Sequence, residues 1–157
     1  MKIADFCAIA DHACRILDLW SPAAVQLVTM TAVHESHLEF RQQIGGGPAL
    51  GLCQMEPATH DDIWSNFLAY HDDLAARLRG MLEPGDAGAS AMAHNDLYAA
   101  GMCRVHYRRA KPPLPAYDDP DGMAGYWKAH YNSALGAGSP ESFKTSYLAL
   151  TIRESWA

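Results

Sequence analysis

The chain has 157 residues, of which 49% are hydrophobic and 19% charged, and its formal net charge is −6. That is enough apolar residue for one domain, 1–157, with a proper core, and it excludes a disordered chain. An acidic balance with no basic stripe argues against nucleic acid as a partner and against tight adhesion to anionic membranes.

The first helix is predicted over about 3–19, with Ile3, Phe6, Cys7, Ala10, Cys14 and Leu17 on one face. Asp5, Asp11 and His12 interrupt that stretch and no small-residue cleavage site follows it, so it does not read as a secretory signal. Ser21-Pro22 supplies an N-cap followed by proline at the first helical position, starting a second helix over about 22–36. Residues 39–52 contain Gly45, Gly46, Gly47 and Pro48, which break helices and permit a short irregular β-hairpin. Pro57-Ala58-Thr59 leads into a further helix, with Asp61 and Asp62 suited to its first turn. One or two helices follow over about 70–82 and 89–108, and the proline-rich stretch 111–120 is a surface loop. Two last helices, near 121–134 and 140–154, are separated by Gly136-Ala137-Gly138-Ser139. Ser139-Pro140 repeats the cap-plus-proline device, and Phe143, Tyr147 and Leu150 form an apolar stripe. The expected fold class is mainly α, with a small β element beside Glu35. No internal repeat, interdomain linker or membrane-span-length apolar run is present.

Cys7, Cys14, Cys53 and Cys103 show no C-x-x-C pair and no zinc-finger spacing, and they read as buried free thiols in preference to disulfides. His34-Glu35-Ser36-His37 lacks the four-residue His interval of a zinc-protease helix, and no third ligand is indicated, so neither a metal nor another cofactor is expected. Leu52-Cys53 stands where a phosphate-binding loop requires Lys-Ser/Thr, and there is no Gly-x-Ser-x-Gly elbow.

Glu35 is the residue that carries chemistry. Helix spacing sets it beside Val28 and Ala32, at the border of the second helix's apolar face, where partial desolvation and the negative end of the helix dipole both raise a carboxyl pKa. Protonated His34 or His37 would oppose that shift. A carboxyl that keeps its proton near neutral pH is a general acid.

Glu35-Ser36, then a glycine-rich loop, then Gly51-Leu52-Cys53-Gln54-Met55-Glu56-Pro57-Ala58-Thr59 resembles the active-site signature of the lysozyme-like lytic transglycosylases, which reads Glu-Ser, Gly-Leu-Met-Gln, Pro-x-Thr. His130-Tyr131-Asn132 is similar to the Ala-Tyr-Asn-Ala-Gly motif of the same family. The resemblance spans roughly 24–135 and is specific mainly in its first motif. The interval from Glu35 to Gly51 is about one residue longer than usual, and Asn95 is displaced by two from the family's middle motif, so no binding role passes to it. The resemblance implies a helical lobe paired with a small hairpin lobe, and a peptidoglycan-cleaving enzyme of phage endolysin type. It implies that Glu35 protonates the glycosidic oxygen and then, as base, helps the muramoyl 6-hydroxyl close a 1,6-anhydro ring. Ser36 would support the acid, Gln54 and Met55 would line the cleft, and Tyr131, with Asn132 beside it, would reach toward Glu35 or the substrate. The glycines would let backbone approach a sugar ring closely. Glu56 either faces the cleft or pairs with a basic side chain. A hydrolytic muramidase on the same fold would need a partner carboxylate at about 5 to 5.5 Å for retention or about 6.5 to 9.5 Å for inversion. Glu39, Glu56, Asp61 and Asp62 are the candidates near in sequence. A non-catalytic glycan-binding module is the third alternative. The implied partner is the glycan strand of bacterial peptidoglycan, met by a monomer that accumulates in a host cytoplasm and reaches the periplasm through a holin or on a virion. Because peptidoglycan is itself anionic, the acidic chain leads to the expectation of a neutral cleft on an acidic body.

Overall fold

The computed structural model describes residues 1–132 and 136–155. Ser21 and Pro22 start the helix on which the others pack. The Ser21 hydroxyl accepts from the Ala24 amide at 3.0 Å, and Pro22 stands where its missing N–H has no helical partner to lose. This helix, α2 (Pro22–Ser36), is buried nearly all round. Thr29 and Thr31 satisfy their hydroxyls by donating to the carbonyls of Val25 and Leu27 one turn back. The expectation that Glu35 stands at the border of an apolar face is therefore corrected. The helix has no polar face, and Glu35 is partly exposed because it lies in the last turn, at the rim of the core.

Around α2 lie α1 (Ile3–Ile16), α5 (Asp96–Arg108), α6 (Pro120–His130) and α7 (Pro140–Ser155). α1 packs on α2 and α5, and α7 packs on α2 and α6. α1 ends three residues short of the expected boundary. Asp18 takes a left-handed conformation at φ 56°, and the Leu19 amide returns to the Cys14 carbonyl at 3.0 Å. α3 (Pro57–Asn66), a 3-10 turn at Leu68–Tyr70 and α4 (Asp72–Arg79) follow one another, so the helix expected over 70–82 is shorter at both ends. The stretch 89–108 divides into a 3-10 segment, Gly88–Ala93, and α5. Asn95 makes the break: its side chain accepts from the Tyr98 amide at 2.9 Å and so caps α5. Phe6, Leu27, Met30, Ile63, Leu78, Trp127 and Phe143 belong to one continuous apolar core. Among the described residues, no helix is long and apolar enough to cross a membrane.

Three further expectations are corrected. The described residues contain no β-sheet: 39–55 holds only isolated bridges, Gln42 to Leu50 and Leu50 to Met55. The hairpin lobe fails to form because Gly45 and Gly46 turn the chain at φ 85° and 82°. The loop is then pinned by single contacts, Gln43 N–H to the Ala49 carbonyl and Ala49 N–H to the Gln43 side chain, instead of a ladder. Asp61 and Asp62 lie in the second turn of α3, which starts at Pro57. The helix expected over 121–134 ends at His130, and 133–134 lie outside the described residues. All four cysteines are free, with Cys14, Cys53 and Cys103 buried and Cys7 half-buried.

Candidate active site

Glu35 enters the site from the last turn of α2, and the chain just beyond it is locked. His37 caps the helix in the left-handed region at φ 53° and returns its N–H to the Val33 carbonyl at 2.9 Å. The Ser36 hydroxyl donates to the Ala32 carbonyl at 2.9 Å and accepts from the Leu38 amide at 3.2 Å. Ser36 is fully buried and does not line the cleft, so it is no substrate contact there; it holds the turn next to Glu35, in keeping with a residue that supports the acid.

The partner of Glu35 comes from α6. The Trp127 indole N–H donates to Glu35 Oε1 at 3.0 Å. Trp127 is itself fully buried, stacked on Phe143 with ring centroids 4.8 Å apart and met edge-on by His34 at 4.7 Å. Burial raises the Glu35 pKa from 4.5 to about 7, while the Trp127 bond, which favours the carboxylate, pulls the other way. Burial, helped by the charge of His37, lowers the pKa of His34, whose Nδ1 lies 3.0 Å from the Ser146 hydroxyl. That lowering weakens the opposition expected from His34.

The facing wall is a tight turn. Leu50 and Met55 exchange backbone hydrogen bonds at 2.9 and 3.2 Å, and Gln54, at φ 48°, donates from Nε2 to the Gly51 carbonyl at 2.9 Å. Gly51 sits at φ 75° with its open side against the protein: a Cβ there would lie 2.2 Å from the Met92 carbonyl oxygen. It serves the packing of the turn on the core and not a sugar ring. Gly45, Gly46 and Gly47 do not line the cleft either, though Gln43, Ile44 and Ala49 of the same loop do.

Tyr131 follows the end of α6, stacks on Tyr107 at 5.2 Å and donates its hydroxyl to the Cys53 carbonyl at 2.6 Å. It ties α6 to the Gln54–Met55 turn. Its hydroxyl does not bond to Glu35, a contact that Trp127 makes, and of the two expected alternatives the one left is a role toward substrate from the cleft wall. Asn132 accepts from Lys128 Nζ at 2.8 Å through Oδ1.

These three segments enclose an open cleft of about 830 Å³. Glu35, Gln54, Met55, Glu56, Tyr131 and Asn132 all line it. Glu56 is exposed, and no ion pair or side-chain hydrogen bond holds it among the described residues, which favours the cleft-facing alternative. Sequence reasoning missed a second group on the same cleft. Asp62 and Arg109 pair at 2.8 Å, and Arg109 Nη2 donates to His106 Nδ1 at 2.9 Å. A guanidinium can only donate, so this imidazole is an acceptor at Nδ1 and carries its proton on Nε2. Burial, aided by the Arg109 charge, lowers the His106 pKa to about 4, so it is neutral near pH 7. Bonds from Arg109 and Asn66 hold the Asp62 carboxyl below its ordinary range. No local spacing connects residue 62 with 106 and 109. Trp127 stands out in sequence only as one of an aromatic cluster with Tyr126 and Tyr131. Among the described residues, no group of three His, Cys, Asp or Glu is placed to hold a metal ion. No family model, curated protein or solved structure matches the chain. The site is thus defined by its own chemistry: a carboxyl whose pKa burial raises to about 7, at one wall of a cleft that an amide, a carboxylate and a thioether also line.

Proposed function

We propose that this chain degrades peptidoglycan as a lytic transglycosylase, on a lysozyme-like helical scaffold, cutting the β-1,4 bond between N-acetylmuramic acid and N-acetylglucosamine. Glu35 gives its proton to the bridging oxygen as the bond from C1 breaks, and the leaving sugar departs as an alcohol. The Glu35 carboxylate then takes the proton of the muramoyl 6-hydroxyl while that oxygen bonds to C1, which closes the 1,6-anhydro ring and restores the acid. The electron pair and proton balance without water or a second protein carboxylate. Gln54 offers donor and acceptor to an N-acetyl group, and Met55 offers an adaptable apolar contact. The enzyme would accumulate in a host cytoplasm and be delivered to the periplasmic wall by a holin or a virion, acting there as a monomer.

One observation carries this reading. The carboxyl that the sequence signature singles out is the one whose pKa is raised to about 7, and it opens on the cleft that the rest of the signature lines. The test is mass analysis of muropeptides released from purified sacculi. Anhydro ends, lighter by one water, are expected, and a predominance of hydrolysed reducing ends would establish a muramidase instead. Glu35→Gln keeps shape and removes the proton, so release should fall at least about a hundredfold while binding to sacculi persists. Undiminished lysis by that variant would remove Glu35 from the mechanism.

A further inference from the structure

We infer that Glu56 makes the cleft selective for glycan bearing a primary ammonium group next to the bond to be cut. This deepens the function proposed above and rests on it. The observation behind it is the distribution of charge around the cleft. Arg109, the arginine that lines it, is already paired with Asp62 at 2.8 Å and bonded to His106 at 2.9 Å. Glu35 bears its proton in the form that begins the reaction. Of the other ionisable groups there, Tyr131 gives its hydroxyl to the Cys53 carbonyl, and His37 and His130 line the cleft with no ion pair to Glu56 among the described residues. Glu56 is left as the carboxylate with no ion pair among the described residues. Against the expected neutral cleft, the lining presents in Glu56 a carboxylate with no ion pair among the described residues.

Its position is fixed by its neighbours. The mutual backbone bonds of Leu50 and Met55 anchor one side, and Pro57, with its ring-locked φ, begins α3 on the other. Glu56 occupies the N-cap of α3 at φ −71° and ψ 144°, yet its side chain makes no capping bond. The backbone that carries Glu56 is therefore fixed, while its exposed carboxylate is unused by the fold and free to turn toward a ligand. On a chain of net charge −6, such a group repels the carboxylates of a wall polymer and attracts an ammonium. A primary ammonium has two sources in this polymer: C2 of a hexosamine that lacks its acetyl group, or the free amine of an uncrosslinked peptide stem.

Two measurements test the inference. The first is calorimetric binding of partially deacetylated chito-oligosaccharide against the same oligomer fully N-acetylated, with wild type and Glu56→Gln. Wild type should bind the amine-bearing oligomer about fivefold more tightly, the effect expected of one solvent-accessible ion pair. Added salt should erode the preference. Glu56→Gln should bring the ratio close to one, and Glu56→Lys should reverse it. The second compares release from sacculi before and after acetylation of free amines, on stem-bearing strands and on strands stripped of stems. A preference kept on stripped strands assigns the sugar amine, and one lost with the stems assigns the stem amine. For a stem-amine preference, which chito-oligosaccharide does not sample, the release ratio is decisive. Equal handling of amine-bearing and acetylated glycan by wild type in both measurements overturns the inference, as does a preference that survives in Glu56→Gln. Complete loss of cleavage on every substrate in Glu56→Gln, with binding unselective, also overturns it and makes Glu56 a reacting group. Binding does not need turnover, so failure of the transglycosylase reading, seen as absent cleavage or as full activity of Glu35→Gln, is distinguishable from failure of this one.

Discussion

Glu35 owes its proton to where its side chain ends, against the Trp127 indole and out of bulk water. A general acid works while protonated, so cleavage should be present below the folded-state pKa and fall as pH rises through about 7. Trp127 bears on the position of that limb. Its N–H stabilises the ionised carboxylate, so Trp127→Phe, which keeps an aromatic ring beside Phe143, should move the limb to higher pH. The same variant should lower the maximal rate several-fold, because the acid loses the bond that orients it. A pH–rate profile of the two proteins checks this, and an unmoved limb would show that another group sets the titration. Most of the named site residues were legible one by one, because Glu35, Gln54, Met55 and Glu56 lie within 22 residues in a recognisable order. Trp127 was not, because an indole becomes a hydrogen-bond partner only when another helix carries it there.

The turn from Leu50 to Met55 shows how one element can be read correctly as a motif and wrongly as a shape. Its glycine was noted for a close approach, and a close approach is what it makes, but to the Met92 carbonyl and not to a ligand. Gly51→Ala would force a side chain into the left-handed region and into that backbone oxygen. It should destabilise the protein by about 2–4 kcal/mol, read as a fall in the denaturant midpoint at constant slope. A loss under about 0.5 kcal/mol would mean that the turn shifts freely. The loop just before it explains the missing hairpin. Three glycines in a row leave no side chains to pair across strands, and a short loop anchored by Gln43 and Ala49 needs no ladder. Asn95 repeats the lesson: its amide caps α5 and donates to the Met81 carbonyl and to Asp86, so it is spent on structure.

At the scale of the whole molecule, the helices enclose one core, and the thiols report on it. Cys14 is buried and its pKa is pushed up to about 12, and the Cys53 thiol, hydrogen-bonded with Cys103 and buried, also lies well above its ordinary range. Only Cys7 is partly exposed. Native protein treated with a maleimide should be modified first at Cys7, with the other three reacting at the rate of unfolding. Reductant should leave the melting temperature unchanged, since the four thiols are free. Mass spectrometry of the labelled chain decides it, and rapid labelling of Cys53 or Cys103 in the native state would show that the cleft wall opens locally. Distant parts of the chain also close on each other: both Glu154 oxygens accept from the Ile3 amide, at 3.0 and 3.1 Å, so α7 caps the start of α1.

What the sequence determined by itself was set by neighbours a few residues apart. Ser21-Pro22 and Ser139-Pro140 start helices through their own hydroxyls and rings, proline keeps 111–119 out of helix, and the order of Glu35, Gln54 and Met55 marks the candidate site. Tertiary structure alone decided the environment of those groups. Desolvation of Glu35, the Trp127 bond, the Asp62–Arg109–His106 chain and the unpaired state of Glu56 all depend on which helices meet. Burial and charge are properties of space around an atom, and that space is filled by residues tens of positions away.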